Sequence, residues 1–244
     1  MSLWEIRKSV KPWVTGETIL LGCSGGTDSM ALAAALLKES NNSKIIPVVV
    51  DHGLQNNSAE IAAQTVAKLK ELGYLEVATA RANVEVTDGL EASARRARYL
   101  IFKQFIDSYQ PKYFMLAHTL NDQAESVLLG LARGSGARSL SGMATVNNIF
   151  VRPLLKNTSA QTAAACIEAG IKVWDDPHNL DERFARVKVR RNLLPIFEEN
   201  LGPGITDALA RTADLLRDDA DALDDFANQY FSQADASNLD VAEL

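Results

Sequence analysis

Cysteine is scarce in this chain, whose 244 residues include only Cys23 and Cys166. Two cysteines so far apart provide neither a disulfide framework nor the spacing of a zinc or iron–sulfur site. We therefore expect both to be buried thiols. The chain also lacks any Gly-Lys-Ser or Gly-Lys-Thr sequence, which excludes the usual phosphate loop of nucleoside triphosphatases.

Long apolar runs are absent as well. No stretch of the sequence approaches the roughly 20 apolar residues of a membrane-spanning helix, and the first 13 residues scatter charges among apolar positions, unlike a signal peptide. The hydrophobic content of 47% nevertheless supports a substantial core. These features predict a soluble cytoplasmic protein that makes no membrane contact.

The net charge of −6 argues at first against a nucleic-acid partner. The negative charge is concentrated, however, in residues 207–225, where seven aspartates and two arginines give −5. The remainder therefore carries only −1 of the total, and its basic residues form local clusters. Because local clusters decide where phosphates bind, a nucleic-acid partner stays open.

Residues 24–29 read Ser-Gly-Gly-Thr-Asp-Ser and lie between a predicted buried strand and a predicted helix. Glycine lets backbone N–H groups approach an anion, and the N-terminus of a helix attracts negative charge. The three-glycine dinucleotide fingerprint does not fit two adjacent glycines. The loop instead looks like the pyrophosphate loop of enzymes that cleave ATP to AMP and pyrophosphate, in which Asp28 would hold Mg²⁺. The ATP-binding candidates are Ser24, Gly25, Gly26, Thr27, Asp28 and Ser29.

Two further predicted strands end in polar residues. Asp51 ends the strand predicted at Ile45–Asp51, and His52 follows it. Both are candidates for ATP binding, although His52 is equally explained as a turn histidine. His118 follows the next such strand, and Asp122 and Glu125 share a face of the helix after it. Carboxylates there suit Mg²⁺ or a substrate ammonium, and compensation of the helix dipole is the alternative.

Basic residues form three groups. Arg95 lies on a predicted helix and suits either a phosphate clamp or a solvated face. Arg133 opens a basic loop, residues 133–138, that could close over a substrate. The densest group predicts a nucleic-acid contact on a helix, with pairing to the acidic helix downstream as the alternative. Its members are Arg183, Arg186, Lys188 and Arg190.

The alternation of strands and helices predicts an α/β fold with a doubly wound, mostly parallel sheet. We expect residues 1–200 to form this catalytic domain. Residues 201–244 are expected to form a small all-α segment.

The ordered motifs resemble the bacterial tRNA(Ile)-lysidine synthetase family of the PP-loop ATP pyrophosphatase superfamily, over roughly residues 15–230. The resemblance rests on motifs at residues 24–29, 50–54, 91–99, 117–125, 133–136, 152–155 and 176–179. The departures from the family pattern are Gln55, Thr119, Asn121 and His178.

The resemblance implies that the wobble cytidine of an isoleucine tRNA with a CAU anticodon attacks ATP, after which free lysine displaces AMP. It implies catalytic roles for Asp28, Arg95 and Asp122, with Arg95 on phosphate and Asp122 on the lysine ammonium. His118, Glu125 and Arg133 are further candidates for contact with lysine or cytidine. ATP is the implied co-substrate and Mg²⁺ the implied metal.

Other functions stay open at this point. Another adenylating PP-loop enzyme, such as a tRNA thiolase or an amidating synthetase, would share the phosphate loop. A nucleotide-sensing or electron-transfer module on the same α/β fold is a non-enzymatic alternative. The sequence also leaves a homodimer open.

Overall fold

The computed structural model describes residues 2–51, 53, 57–85, 89–173 and 181–233, with only the backbone of residues 90, 91 and 233. The predictions for His52, Gln55 and residues 176–179 lie outside this range.

Six strands form one sheet. They are β1 (Ile19–Gly22), β2 (Ile45–Asp51), β3 (Ala78–Arg81), β4 (Tyr113–Met115), β5 (Val146–Asn147) and β6 (Phe150–Val151). Their order is β3-β2-β1-β4-β6-β5, and every neighbouring pair is parallel except β5 with β6. The predicted mostly parallel sheet is therefore confirmed.

Helices connect the strands and continue beyond them. The helices are α1 (Ser2–Val10), α2 (Thr27–Lys38), α3 (Ser58–Leu72), α4 (Leu90–Tyr109), α5 (Leu120–Ala132), α6 (Ala137–Leu140), α7 (Ser159–Glu168), α8 (Ala185–Lys188), α9 (Leu194–Asn200) and α10 (Ile205–Gln233). A 3₁₀ turn spans Lys11–Trp13, and a π-helical turn spans Val189–Leu193.

The alternation of side chains along β1 divides the core into two layers. Ile19 and Leu21 belong to a cluster that includes buried residues of α1, α2 and α7. Leu20 belongs to a second cluster that includes Phe102 of α4 and Phe114 of β4. Both faces of the sheet are thus covered by helices, as a parallel sheet requires.

The chain divides into two compact units. The first comprises Met1–Asp122 and Ala144–Asp181, and the second comprises Gln123–Met143 and Glu182–Leu244. The predicted boundary between residues 200 and 201 lies within the second unit, so that division stays a proposal. The second unit has its own small core of Ala124, Val189 and Leu194.

Two local predictions in the second unit need correction. Residues 137–140 form α6 instead of continuing the predicted loop, since Gly136 adopts an extended conformation that begins the helix. The predicted basic helix begins only at Ala185 and changes to a π-helical turn at Val189. Arg183 therefore precedes the helix.

Candidate active site

The order of the strands reverses between β1 and β4. Strands β2 and β3 lie on one side of β1, whereas β4 and β6 lie on the other. Ligands of open α/β sheets bind at the carboxyl ends of the strands where the strand order reverses. Residues 24–29 follow β1 and His118 follows β4, so the structure brings these two predicted groups to the same edge.

The loop after β1 leads directly into α2. The Cys23 N–H donates to the Val48 carbonyl at 2.9 Å, which continues the strand ladder. Gly25 then turns at φ +82°, and Gly26 is extended at the helix N-cap. Gly26, the N-cap residue, has no side chain that could accept a hydrogen bond from the first N–H groups of α2. Uncapped N–H groups at a helix start suit an anionic ligand.

The two serines of the loop have different surroundings. Ser29 is buried, and its hydroxyl donates to the Gly26 carbonyl at 2.9 Å. The Ser24 N–H donates to the Ser29 Oγ at 3.3 Å. Ser24 itself is exposed. Ser29 therefore fixes the shape of the loop, whereas the Ser24 Oγ lies 3.3 Å from the Ser29 Oγ and accepts the Gly26 N–H at 3.4 Å.

Close packing against α3 also requires glycine at residue 25. A Cβ built there would lie 2.2 Å from the Thr65 Oγ1. Thr65 is a buried residue of α3, and its hydroxyl donates to the Ile61 carbonyl at 2.9 Å. The first glycine of the loop thus permits both the left-handed turn and the close approach of α3.

Asp28 lies in the first turn of α2 and is partly exposed. The Thr162 hydroxyl of α7 donates to the Asp28 Oδ1. Within the described ranges no three potential metal-ligating side chains cluster. A single carboxylate beside a phosphate loop nevertheless fits Mg²⁺, because this ion is usually held by one or two carboxylates together with substrate phosphates and water.

A pocket of about 400 Å³ lies beside Asp51, at the ends of β2 and β3. The Asp51 Oδ1 accepts the Gly53 N–H at 2.9 Å, and its Oδ2 lies 3.7 Å from the Arg81 Nε. The other lining residues are Thr79, Ala80, Ala59, Ala62, Ala63 and Val66. These residues of α3 were not assigned to the site from the sequence, although the small residues recur at helical spacing.

Arg95 is exposed on α4. Its guanidinium carbon lies 5.0 Å from the centre of the Tyr99 ring, and its Nη2 is 3.5 Å from the Tyr99 hydroxyl. Stacking on an aromatic ring stabilises such a cation and orients it. The predicted contact of Arg95 with phosphate stays a prediction.

After β4, His118 is partly exposed, and Asp122 is 9% exposed. The Asp122 Oδ2 accepts hydrogen bonds from the Thr119 N–H at 2.8 Å and from its hydroxyl at 3.0 Å. Asn121 accepts the Ser159 N–H at 2.8 Å. Thr119 and Asn121, two departures from the family pattern, thus have structural roles. Asp122 also lies in the first turn of α5, where a carboxylate is favourable to the helix dipole.

In the second unit, Glu125 is fully buried. Its carboxylate accepts hydrogen bonds from the Arg186 Nε at 2.8 Å and the Arg190 Nε at 2.5 Å. Two of the four basic residues predicted to contact tRNA therefore pair within the chain. Both of them pair with Glu125. Arg133, Arg183 and Lys188 are exposed.

We expect Glu125→Ala to lower the stability of the second unit by about 2–3 kcal/mol, because two arginines would lose a buried counter-charge. Urea unfolding followed by circular dichroism measures the effect. Glu199→Ala, at an exposed position of α9, is the matched control and should change stability by less than about 0.5 kcal/mol. Equal stability of the two variants would contradict this account of Glu125.

The fold and the phosphate loop define a PP-loop domain. A family model described as a PP-loop domain matches residues 3–197. The U34-tRNA thiolase NcsA from Methanococcus maripaludis has a similar fold, with a TM-score of 0.72 over 88% of this chain and 80% of that chain at 18% identity.

Proteins with similar sequences show which family of PP-loop proteins the chain belongs to. The tRNA(Ile)-lysidine synthase of Leifsonia xyli is 46% identical over 93% of this chain and 70% of its own length. The enzyme of the same name from Thermobifida fusca is 46% identical over 98% of this chain and 75% of its own length. The chain belongs to the tRNA(Ile)-lysidine synthase family.

The described ranges contain no helix that is both long and apolar enough to span a membrane.

Proposed function

We propose that this chain joins free lysine to the wobble cytidine of an isoleucine tRNA with a CAU anticodon, at the expense of ATP. The proposal rests on the 46% identity to lysidine synthases over nearly the whole chain. The phosphate loop at the reversal of the strand order supports it, since ATP must be held there for the first step. Mg²⁺, a cytoplasmic location and a homodimer belong to the proposal.

In the first step, the cytidine O2 attacks the α-phosphorus of ATP, and pyrophosphate leaves. The uncapped N–H groups at the start of α2 and the Ser24 hydroxyl bind the phosphates. Asp28 would hold Mg²⁺, which when bound neutralises charge on the departing pyrophosphate. The 400 Å³ pocket beside Asp51 combines an apolar wall of α3 residues with the polar side chains of Asp51, Thr79 and Arg81, which suits an adenosine group.

In the second step, the lysine ε-amine attacks C2 of the adenylated cytidine, and AMP leaves with the former O2. The amine must lose a proton to act as a nucleophile, so a carboxylate has to receive its ammonium form. Asp122 is the better candidate because it lies at the sheet edge and remains slightly exposed. Glu125 is fully buried and already holds two arginines.

The tRNA backbone would contact exposed basic residues. Arg183 and Lys188 are exposed in the second unit, whereas Arg186 and Arg190 share their guanidinium groups with Glu125. An anticodon loop presents its bases unpaired, so a cytidine can enter the site without breaking a helix.

We expect the double variant Arg183→Glu, Lys188→Glu to weaken tRNA binding and to reduce the dependence of log affinity on log salt by about 1–2 units. ATP binding should not change. Lys103→Glu, at an exposed position of α4, is the control for a charge reversal elsewhere. An unchanged salt slope in the double variant would contradict a phosphate contact at these positions.

Thiolation of tRNA is the main alternative, but the cysteines do not support it. Sulfur chemistry uses thiolates, and burial raises the pKa of Cys23 and raises that of Cys166 to about 12. Both thiols are therefore protonated at neutral pH. A [4Fe–4S] cluster, which the similar thiolase structure names, is generally held by four cysteines, and this chain has two.

The experiment that tests the proposal is incorporation of labelled lysine into isoleucine tRNA bearing CAU, with ATP and Mg²⁺. Methionine tRNA with the same anticodon is the control. Incorporation into the isoleucine tRNA alone is the expected result. Release of pyrophosphate without incorporated lysine would mean that another nucleophile completes the reaction.

A further inference from the structure

The first turn of α7 contacts the loop that follows β1. Thr162 is fully buried, and its hydroxyl donates to the Asp28 Oδ1. The same hydroxyl lies 2.9 Å from the Ser159 carbonyl. One hydroxyl proton cannot serve both acceptors fully. Thr162 therefore lies between two acceptors, the Asp28 carboxylate and the Ser159 carbonyl of its own helix, and these two contacts hold its hydroxyl beside Asp28.

The same turn of α7 contacts the loop that follows β4. The Ser159 Oγ lies 3.2 Å from the Thr119 Oγ1, and the Thr119 hydroxyl donates to the Asp122 Oδ2 at 3.0 Å. The Ser159 N–H donates to the Asn121 Oδ1 at 2.8 Å. Ser159 thus reaches the second candidate carboxylate through one intermediate hydroxyl group.

A capping box and a contact with α2 stabilise this part of α7. Thr158 and Gln161 form a reciprocal capping box, in which each side chain accepts the backbone N–H of the other. One turn further along α7, the Cys166 thiol donates to the Thr27 carbonyl at 3.3 Å. The capping box orders the start of α7, and the Cys166 contact attaches the following turn to the start of α2.

We propose that the first turn of α7 is a positioning element for both half-reactions. Thr162 orients Asp28 for ATP with Mg²⁺, and Ser159 orients Asp122 through Thr119 for the lysine step. The inference rests on the proposed function for the identity of the two steps. Ser159 and Thr162 are three residues apart on one helix. Through their contacts they set the distance between the Asp28 and Asp122 carboxylates, which lie 94 positions apart in the sequence.

The Asp28 arm is tested by Thr162→Val and Thr162→Ser. Valine has nearly the shape of threonine but no donor, and serine keeps the hydroxyl. The binding of a non-hydrolysable ATP analogue is measured by calorimetry with and without Mg²⁺. We expect Thr162→Val to reduce the gain in affinity from Mg²⁺ about tenfold, as loss of a hydrogen bond to a charged group predicts. Thr162→Ser should stay within about twofold of the unmodified protein.

The Asp122 arm is tested by Ser159→Ala in the lysine incorporation assay. We expect KM for lysine to rise about fivefold, while the affinity for the ATP analogue with Mg²⁺ stays unchanged. Thr162→Val should instead lower the affinity for the ATP analogue with Mg²⁺ and leave KM for lysine unchanged. If each variant impaired both steps equally, the assignment of one hydroxyl to each carboxylate would be wrong.

Thr158→Ala is the matched control for helix stability. It removes the capping hydroxyl of α7 but leaves Ser159 and Thr162 in place. It should lower the melting temperature without changing either readout. If Thr158→Ala reduced the Mg²⁺ gain as much as Thr162→Val does, the effect would come from helix stability, and the positioning proposal would be overturned. Binding of the ATP analogue is independent of lysine, so failure here is distinguishable from failure of the lysidine proposal.

Discussion

Asp28→Asn is expected to reduce tRNA-dependent pyrophosphate release about a thousandfold or more, and lysine incorporation with it. The change keeps the shape of the side chain and an acceptor for the Thr162 hydroxyl, so the fold should persist. It removes the negative charge that would hold Mg²⁺ beside the departing pyrophosphate. Loss of a single preorganised electrostatic contact at a transition state costs a factor of about 10²–10³, and loss of a metal removes several such contacts.

Pyrophosphate release and incorporated lysine are measured on the same samples, with the melting temperature as a check on folding. Asp107→Asn, at an exposed position of α4, is the matched control and should retain full activity. Turnover of Asp28→Asn within about tenfold of the unmodified protein would contradict the role of Asp28. Loss of activity together with a collapsed melting temperature would instead assign Asp28 a purely structural role.

Gly25→Ala is expected to abolish binding of ATP, whereas Gly26→Ala should leave the fold of the loop intact. A Cβ at Gly25 would lie 2.2 Å from the Thr65 Oγ1, and φ of +82° adds a left-handed strain of about 1–2 kcal/mol. At Gly26 the backbone is extended, and the nearest atom to a new Cβ is the Ser24 Oγ at 3.6 Å. The loop must therefore change shape in the first variant only.

Calorimetric binding of ATP and the melting temperature together test this difference between neighbouring glycines. We expect Gly25→Ala to lose at least about 100-fold in affinity and to melt several degrees lower. Adding Thr65→Ala should restore part of the melting temperature, since it removes the clashing oxygen but leaves the strain. If the two glycine variants had equal melting temperatures, close packing of α3 on this loop would not explain why residue 25 is glycine.

The sequence predicted the elements that a short, contiguous stretch of residues specifies. The loop at 24–29 follows from an apolar strand, two glycines and a run of helix-forming residues, all within 14 positions. The carboxyl ends of β1, β2 and β4 were predicted for the same reason, and parallel pairing then places them at one edge. Residues 146–147 and 150–151 were missed because two-residue strands leave no period to detect.

The contacts that the sequence did not predict join distant positions. Thr162 meets Asp28 across 134 residues, and Arg190 meets Glu125 across 65. The composition of residues 183–190 is equally typical of a phosphate contact and of an internal ion pair. Only the burial of Glu125 distinguishes the two for Arg186 and Arg190. The charge pattern of a sequence shows where basic side chains occur. Tertiary packing determines whether they bind a ligand or pair within the chain.

The most direct measurement is incorporation of labelled lysine into isoleucine tRNA bearing CAU, beside methionine tRNA with the same anticodon. We expect ATP-dependent incorporation into the isoleucine tRNA alone, with one pyrophosphate released for each lysine incorporated. Pyrophosphate release that requires the isoleucine tRNA but leaves no lysine on it would contradict the central claim, because ATP would then be activating the tRNA for a different nucleophile.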